Sequence, residues 1–475
     1  VNLRLHDTST RSVRDFTPRV SGAASLYLCG LTVQAPPHIG HLRGGVNYDV
    51  LRRWLTHHGL DVNFVRNVTD IDDKLLAKAL EQDRPFWSIA YANERLLAAD
   101  YASLGVLEPT YEPRATGHIP EMLTLIAELI EKGHAYLASD DSGDVYFDVR
   151  GFPEYGALSG QRIDHMQAAP DGPDRAKRDP RDFALWKGEK PTEPQNAFWD
   201  TPYGRGRPGW HLECSAMARR YLGDTFDIHG GGMDLVFPHH ENEVAQSRAA
   251  GLGFARYWVH IGMLNLGGEK MSKSLGNVID LTALRKLVRP AEVRYYLAVP
   301  HYRSVIDYSE AALKESASAY RRIEGFVRRA AERLGADEVH VDRGVLCADF
   351  TAAMDEDLNT SAAMAAIHEV TREGNSAADA GNDKAFGSAA ASVRRMMDVF
   401  GLDPLSPQWT ETDGGGDLRG TLDALVAMTL EQRQAARARR DYATSDVLRD
   451  QLTAAGVQVE DTPHGPRWTY ETQKG

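Results

Sequence analysis

Two short segments of the chain carry side chains suited to handling phosphate. In Pro37-His38-Ile39-Gly40-His41, two imidazoles stand three residues apart where a loop runs into an amphipathic stretch from about His41 to His58. At a helix N-terminus such rings can donate hydrogen bonds to phosphate oxygens, aided by free backbone N–H groups and the helix dipole. Gly40 presents no side chain, so a flat ligand can approach the backbone there. Far downstream, Gly267-Gly268-Glu269-Lys270-Met271-Ser272-Lys273-Ser274 is a glycine-hinged loop with two lysines and two hydroxyls. Such a loop can close over a polyphosphate and neutralise charge that builds in a transition state. It lacks Walker spacing and is not a P-loop. Each segment alone also fits a bland reading, a capped helix in one case and a solvated turn in the other.

A second set of residues could ligate a metal. Cys29 ends an apolar run, and Cys214 lies in Gly209-Trp210-His211-Leu212-Glu213-Cys214. His239 and Glu243, in Pro238-His239-His240-Glu241-Asn242-Glu243, are four apart and share one helix face. Two thiolates, an imidazole and a carboxylate suit zinc. On spacing alone His240 competes with His239 and Glu241 with Glu243, although only His239 with Glu243 has the i,i+4 interval. The two cysteines also read as buried core thiols. Gly230-Gly231-Gly232 lacks the spacing of a dinucleotide fingerprint and is read as pocket wall after a strand. Thr69-Asp70 with Asp72-Asp73 reads as a capping run ahead of a helix.

These segments need a scaffold that brings them together. Ser25 to Cys29 reads as a buried strand with turn chemistry after it, and Val62 to Val65 as a second. Strand, loop, helix, strand is the opening of a parallel α/β sheet, where ligands sit at the carboxyl ends of strands. Two further strand-like runs, Thr225–His229 and Tyr257–Met263, come after a long insertion whose part from Gln167 to Pro208 is dense in proline, glycine and charge. Later, Tyr320, Ile323, Val327, Ala330 and Leu334 recur at helical spacing, as do Met364, Ile367, Val370 and Val393, Met396, Phe400. Those stretches predict a helical bundle. Thr410 to Asp417 reads as a linker before a small mixed region.

Bulk properties set outer bounds. A chain of 475 residues with 42% hydrophobic content predicts about three domains. No run of 18 or more apolar residues occurs, and Val1 to Val20 lacks the apolar core of a signal peptide, so a soluble cytoplasmic protein without a membrane partner is expected. Three cysteines cannot build a disulfide framework. The net charge of −13 does not exclude nucleic acid, because binding depends on local basic surface. Arginines cluster at 321, 322, 328 and 329 and at 433, 437, 439 and 440; by themselves such runs are solvated helix faces.

Taken together, His-Ile-Gly-His and Lys-Met-Ser-Lys-Ser, about 230 residues apart, resemble the paired signature of class I aminoacyl-tRNA synthetases. Tyr27-Leu28-Cys29-Gly30-Leu31-Thr32-Val33, the run from Arg66 to Lys74, the run from Gly209 to Met217 and the run from Phe226 to Glu243 are similar to cysteinyl-tRNA synthetases. The likeness runs nearly end to end, through Met354–Thr360 and Glu460–Gly465. It departs at Gln34-Ala35, where the family often has tyrosine and aspartate, so no side-chain role is carried over there.

The resemblance implies an α/β fold with a Rossmann-type parallel-sheet catalytic domain in two halves (1–122 and 209–265) around an insertion (123–208). A stem-contact region (266–318), a helical bundle (319–409) and a mixed α/β anticodon-binding domain (410–475) complete it. One zinc ion would be held by Cys29, Cys214, His239 and Glu243. Cysteine would contact Cys29, Gly30, Thr32, Thr69, Trp210 and Asp234. ATP, with Mg2+, would contact His38, Gly40, His41, Lys270, Ser272 and Lys273, of which His38, His41, Lys270 and Lys273 are the catalytic set. In the last domain Arg437, Asp446, Asp461 and Trp468 would meet tRNA-Cys. A monomer is expected.

That set answers a chemical problem. Cysteine and serine differ by one atom, and shape separates near-isosteres poorly. A zinc ion binds a thiol as thiolate, whereas a hydroxyl does not ionise readily at neutral pH. Two rivals share parts of the reading: a ligase of the mycothiol type that joins cysteine to an amino sugar, and an inactive tRNA-binding paralogue. The C-terminal module and Asn242-Glu243 argue against the first, the intact phosphate motifs against the second.

Overall fold

The computed structural model describes residues 2–168, 176–270, 278–413, 418–462 and 465–470. They divide into two compact units, 1–405 and 406–475.

The first unit opens with a hairpin, β1 (Arg4–Asp7) and β2 (Ser12–Asp15), and then enters the central sheet at β3 (Ala23–Leu28). α1 (Ile39–His57) carries the chain to β4 (Asp61–Arg66), which lies parallel to β3. α2 (Asp73–Glu81), α3 (Phe86–Ser103) and α4 (Ile119–Glu131) follow. Asp72 caps α2 by accepting from the Leu75 N–H at 2.7 Å, so part of the acidic run does start a helix.

The insertion is more ordered than its composition suggests. β5 (Ala135–Leu137), β6 (Val145–Phe147), β7 (Phe183–Gly188) and β8 (Gly206–Pro208) form an antiparallel sheet in chain order. α5 (Trp210–Leu222) leads back to β9 (Phe226–Gly232), and α6 (Glu241–Ala249) to β10 (Ala255–Ile261). The central sheet runs β10-β9-β3-β4, all parallel. Strand direction of travel across the sheet reverses between β3 and β9, which opens a crevice at their carboxyl ends. Side chains alternate across the sheet: Tyr27 and Val65 enter a core shared with Leu75 of α2, Leu129 of α4 and Met217 of α5.

Here the glycine run is corrected. Gly230 to Gly232 belongs to β9, paired with Val259 to Ile261 of β10. A Cβ on Gly230 would lie 2.4 Å from the Tyr48 ring, and one on Gly231 2.7 Å from the His240 ring. The glycines therefore lie within the strand rather than after it, packed against these rings.

Beyond β10, β11 (Leu264–Leu266) turns back into β12 (Glu269–Lys270) through Gly267 and Gly268, at φ of 62° and 79°. Two consecutive positive φ values are what a tight hairpin turn requires. α7 (Leu281–Arg285), α8 (Pro290–Ala298) and β13 (Ile306–Tyr308) come next, β13 lying parallel to β11. The bundle then forms from α9 (Glu310–Leu334), α10 (Ala348–Asp355), α11 (Thr360–Asp379) and α12 (Asp383–Val399). Tyr320, Ile323, Val327 and Ala330 are all fully buried, as the periodicity predicts. Arginines join the bundle to the sheet domain, Arg4 among them through both oxygens of Glu356. Arg294 binds Asp49 and the carbonyls of Phe400 and Leu104 (2.7 and 2.9 Å), and Arg303 pairs with Asp357 at 2.6 Å.

The second unit holds α13 (Pro407–Asp413), α14 (Leu418–Ala438), α15 (Tyr442–Ala454) and an antiparallel hairpin, β14 (Val457–Thr462) with β15 (Gly465–Tyr470). Its core is Val426, Leu430, Leu452 and Val457, with Val459 and Trp468 against it. The expected linker is helical as far as Asp413.

Candidate functional site

Four segments meet at the crevice between β3 and β9. Cys29 leaves the end of β3, its N–H donating to the Gly230 carbonyl at 3.0 Å. Cys214 sits on α5, His239 in the turn before α6 and Glu243 on α6 itself. Cys29 Sγ is 3.5 Å from Cys214 Sγ and 3.3 Å from Glu243 Oε1, and His239 Nε2 is 3.1 Å from that same oxygen. One ligand atom from each of the four lies within 4.8 Å of the others.

A divalent cation fits this cluster on chemical grounds. Burial pushes the Cys29 thiol well above its usual range, with Cys214 and Glu243 adding to the rise, and burial also raises Cys214. Without a cation both sulfurs therefore keep their protons. Burial holds His239 down to about 3, so its imidazole is neutral and can ligate. Among the described residues the Nε2 atom of fully buried His240 has no hydrogen-bond partner, and it lies 3.9 Å from Glu243 Oε1. A second set, Cys29, His229, His240 and Glu243, shares the same space.

His229 was missed in the sequence. It stands on β9 beside Tyr27, hydrogen-bonds Glu243 Oε2 at 2.8 Å and stacks on Trp258 at 4.5 Å. His240 Nδ1 contacts His260 Nε2 at 2.7 Å, and His211 Nδ1 contacts His239 Nδ1 at 3.0 Å. If His239 ligates through Nε2, its Nδ1 is the N–H and donates to His211, which orients the ligating ring. Only the strand order reveals this layer, since His229 and Cys29 are 200 residues apart.

Of the expected pocket residues, Gly30, Thr32, Thr69 and Trp210 connect to the cluster through Asn67 and His239. Gly30 donates its N–H to Asn67 Oδ1 at 2.8 Å, and a Cβ there would stand 1.6 Å from the Asn67 carbonyl oxygen, so only glycine fits. Asn67 also reaches Thr69 Oγ1 at 3.2 Å, and Thr32 bridges to Thr69 in parallel register. Trp210 opens α5 and stacks its ring on His239 at 4.3 Å while remaining 37% exposed. Asp234 is exposed in the turn after β9.

The first phosphate motif forms the start of α1. His38 is the N-cap: its Nδ1 accepts from the Gly40 N–H at 3.1 Å, and His41 Nδ1 accepts from the His38 N–H at 3.1 Å. The two rings stack with centroids 3.6 Å apart. Because both Nδ1 atoms accept, the proton of each neutral ring sits on Nε2. The Ile39 N–H donates to the Ile279 carbonyl at 2.8 Å, which ties α1 to the segment just after the lysine loop. Lys270 ends β12; Ser272 and Lys273 lie outside the described residues.

In the second unit, Arg437 lies in the last turn of α14, and Asp446 is exposed on α15, 3.4 Å from Arg449. Asp461 is on β14, and Trp468 on β15 packs against the core. In the bundle, Arg321 pairs with Glu292 at 2.6 Å and Arg328 with Glu324 at 2.9 Å, so these two cations already hold the fold together.

Comparison with known proteins agrees with this architecture. Residues 15–318 match the class I (C) tRNA synthetase catalytic domain, 349–404 the DALR domain, and 419–468 the cysteinyl-tRNA ligase anticodon binding domain. The chain is 56% identical over 470 residues to a cysteine–tRNA ligase of Streptomyces griseus, covering 99% of each. It is 57% identical over 473 residues to one from Nocardioides, covering 99% of this chain and 100% of the relative. In fold it is similar to Mycobacterium tuberculosis methionyl-tRNA synthetase bound by methionyl-adenylate, with a TM-score of 0.58 at 15% identity over 81% of this chain and 92% of the other. A ternary complex of LeuRS with tRNA and LeuAMS from Agrobacterium radiobacter gives a TM-score of 0.60 at 12% identity, over 83% and 86%. With its catalytic, DALR and anticodon-binding regions matched in order, this chain belongs to the cysteine–tRNA ligase family of class I tRNA synthetases.

Proposed function

We propose that the protein activates L-cysteine with ATP and transfers it to the 3′ end of tRNA-Cys, and that Cys29, Cys214, His239 and Glu243 hold the zinc ion that selects the thiol. The observation that carries this reading is the approach of those four side chains to within 4.8 Å at the crevice of the parallel sheet. Zinc there would bind the substrate sulfur as thiolate and leave serine, whose hydroxyl keeps its proton, without an equivalent bond. Trp210, stacked on His239, walls the pocket, and Asp234, exposed in the turn after β9, would meet the substrate ammonium.

In the first step the cysteine carboxylate attacks the α-phosphorus of ATP and pyrophosphate leaves, with Mg2+ accompanying the nucleotide. That chemistry is mainly positioning and charge stabilisation. His38 and His41, with Nε2 as their N–H atoms, donate to phosphate oxygens; Gly40 leaves room for the nucleotide; Lys270, Ser272 and Lys273 close over the leaving group. In the second step the terminal ribose hydroxyl of tRNA takes the cysteinyl group. Arg437, Asp446, Asp461 and Trp468 read the anticodon from the second unit, through base-edge hydrogen bonds and stacking.

The test is cysteine-dependent exchange of pyrophosphate into ATP, followed by charging with tRNA-Cys or glucosaminyl-inositol as acceptor. Exchange with cysteine but not serine, and charging of tRNA alone, is the expected result. Charging of the amino sugar, or no exchange at all, contradicts the proposal.

A further inference from the structure

The outer face of α3 is unusual for a helix on a protein surface. Trp87 and Tyr91, one turn apart, are 60% and 53% exposed. Arginines flank them at both ends: Arg84 precedes the helix, and Arg95 leans on Tyr91, its guanidinium 5.7 Å from the ring centroid and Nη1 3.5 Å from the hydroxyl. Arg114 adds a third cation beside Tyr91, held by both oxygens of Glu94 at 2.6 and 2.9 Å. Exposed aromatic rings framed by guanidinium groups are the composition of a surface that stacks unpaired bases and neutralises phosphates. Glu94 offsets Arg114, which leaves Arg84 and Arg95 as the arginines of this face that meet phosphate.

The inner face of the same helix touches both halves of the candidate site. Buried Asn93 donates its Nδ2 to the Val33 carbonyl at 3.0 Å, in the loop that also carries Cys29, Gly30 and Thr32. Tyr101 donates its hydroxyl to the His41 carbonyl at 3.4 Å. One helix diameter, about 10 Å, therefore separates the aromatic face from the loop that would hold cysteine. The part of the tRNA substrate that must come this close is its acceptor end, where the nucleotides are unpaired.

We infer that the Arg84–Trp87–Tyr91–Arg95 face of α3 docks the acceptor end of the tRNA substrate, its rings stacking on unpaired bases and its arginines meeting the backbone. The inference rests on the tRNA-charging function proposed above, and deepens it by naming an RNA surface outside the anticodon-binding unit.

The experiment uses the full chain and two double variants, Trp87→Ala/Tyr91→Ala and Arg84→Glu/Arg95→Glu, with a tRNA-Cys transcript as probe. Cysteine-dependent pyrophosphate exchange should stay within about two-fold of the parent, because none of these side chains belongs to the core. Tm should be unchanged. The KM for tRNA should rise about ten-fold or more in each variant. In the arginine variant the slope of log Kd against log salt should also fall by roughly one to two, as expected when phosphate contacts are lost. Unchanged tRNA affinity in both variants overturns the inference and leaves the face to some other partner. An equal loss of exchange and charging in both also overturns it, since the helix would then act on the catalytic centre. Failure of the underlying reading looks different: the unmodified chain would not charge tRNA.

Discussion

The Ile39 N–H and the Ile279 carbonyl, 240 residues apart in sequence, meet at 2.8 Å and tie the start of α1 to the segment that follows the lysine loop. Ile39 is the first residue of α1, so its N–H has no partner inside the helix and must find one elsewhere. This bond fixes where the lysine loop re-enters the sheet domain relative to His38 and His41. Proline suits the first helical position sterically, and His38, at φ −126° and ψ 168°, already has the extended conformation that a following proline requires. Ile39→Pro therefore removes the donor while keeping the helix start, and Ile39→Ala is the control for the lost buried side chain. We expect Ile39→Pro to lower the rate of pyrophosphate exchange about ten-fold beyond Ile39→Ala. Equal rates in the two variants would show that the bond is incidental.

The candidate metal cluster offers a sharper choice. Spacing alone leaves His239 and His240 in competition, and the structure brings each into a four-residue set with Cys29 and Glu243. The His239 set adds a second sulfur, Cys214, whereas the His240 set adds His229, already bonded to Glu243 at 2.8 Å. Cys214→Ser and His239→Ala should each reduce bound zinc from one ion per chain to below about a tenth after dialysis against a mild chelator. His240→Ala should retain it. Loss of metal in His240→Ala with retention in His239→Ala would exchange the two assignments.

How much of this was legible beforehand depends on how local the signal was. β3 and α1 were readable because an apolar run, a proline-rich turn and helical periodicity sit side by side in the chain. The histidine layer was not: His229 reaches Cys29 only because β9 pairs with β3, and nothing in the neighbourhood of His229 encodes a partner 200 residues away. The resemblance supplied the ligand set that spacing left open. Composition placed Gly230 to Gly232 after the strand, whereas they continue it in register with β10, and the Tyr48 and His240 rings leave no room for a Cβ at Gly230 and Gly231. It misled again at Thr410 to Asp413, where the helix simply continues. Charge clustering did not reveal that Arg321 and Arg328 pair with Glu292 and Glu324, since those carboxylates come together with the arginines only in the fold.

A pH dependence follows from Asp100 at the end of α3. Burial and the facing carboxylate of Asp280 push Asp100 up to about 6, with Arg285 opposing them in part. An unfolded aspartate titrates near 3.9, so the folded protein binds more protons between about pH 4 and 6, and stability falls as pH rises through that window. Asp280 caps α7 by accepting from the Ala283 N–H at 2.8 Å, next to Ile279, so this repulsion sits at the re-entry point of the lysine loop. Asp100→Asn should raise Tm at pH 7.5 and leave it unchanged at pH 4, where the wild-type carboxyl is largely protonated. A gain of equal size at both pH values would mean that charge is not the cause.

The second unit, 406–475, has its own apolar core in Val426, Leu430, Leu452 and Val457, and carries every residue assigned to the anticodon. The cluster of Cys29, Cys214, His239 and Glu243 and the start of α1 lie wholly in the first unit. Amino-acid activation and anticodon reading are therefore separable by one cut. A chain ending at Leu405 should exchange pyrophosphate with cysteine within about two-fold of the parent, because no group proposed to touch ATP or cysteine has been removed. Its kcat/KM for charging tRNA should fall about 100-fold or more, equivalent to roughly 2.7 kcal/mol of lost binding in the transition state. The fall should appear mainly in KM for tRNA, since the acceptor end still meets an intact catalytic centre. Full charging by the shortened chain would remove the anticodon role from Arg437, Asp446, Asp461 and Trp468 and place tRNA selection in the first unit.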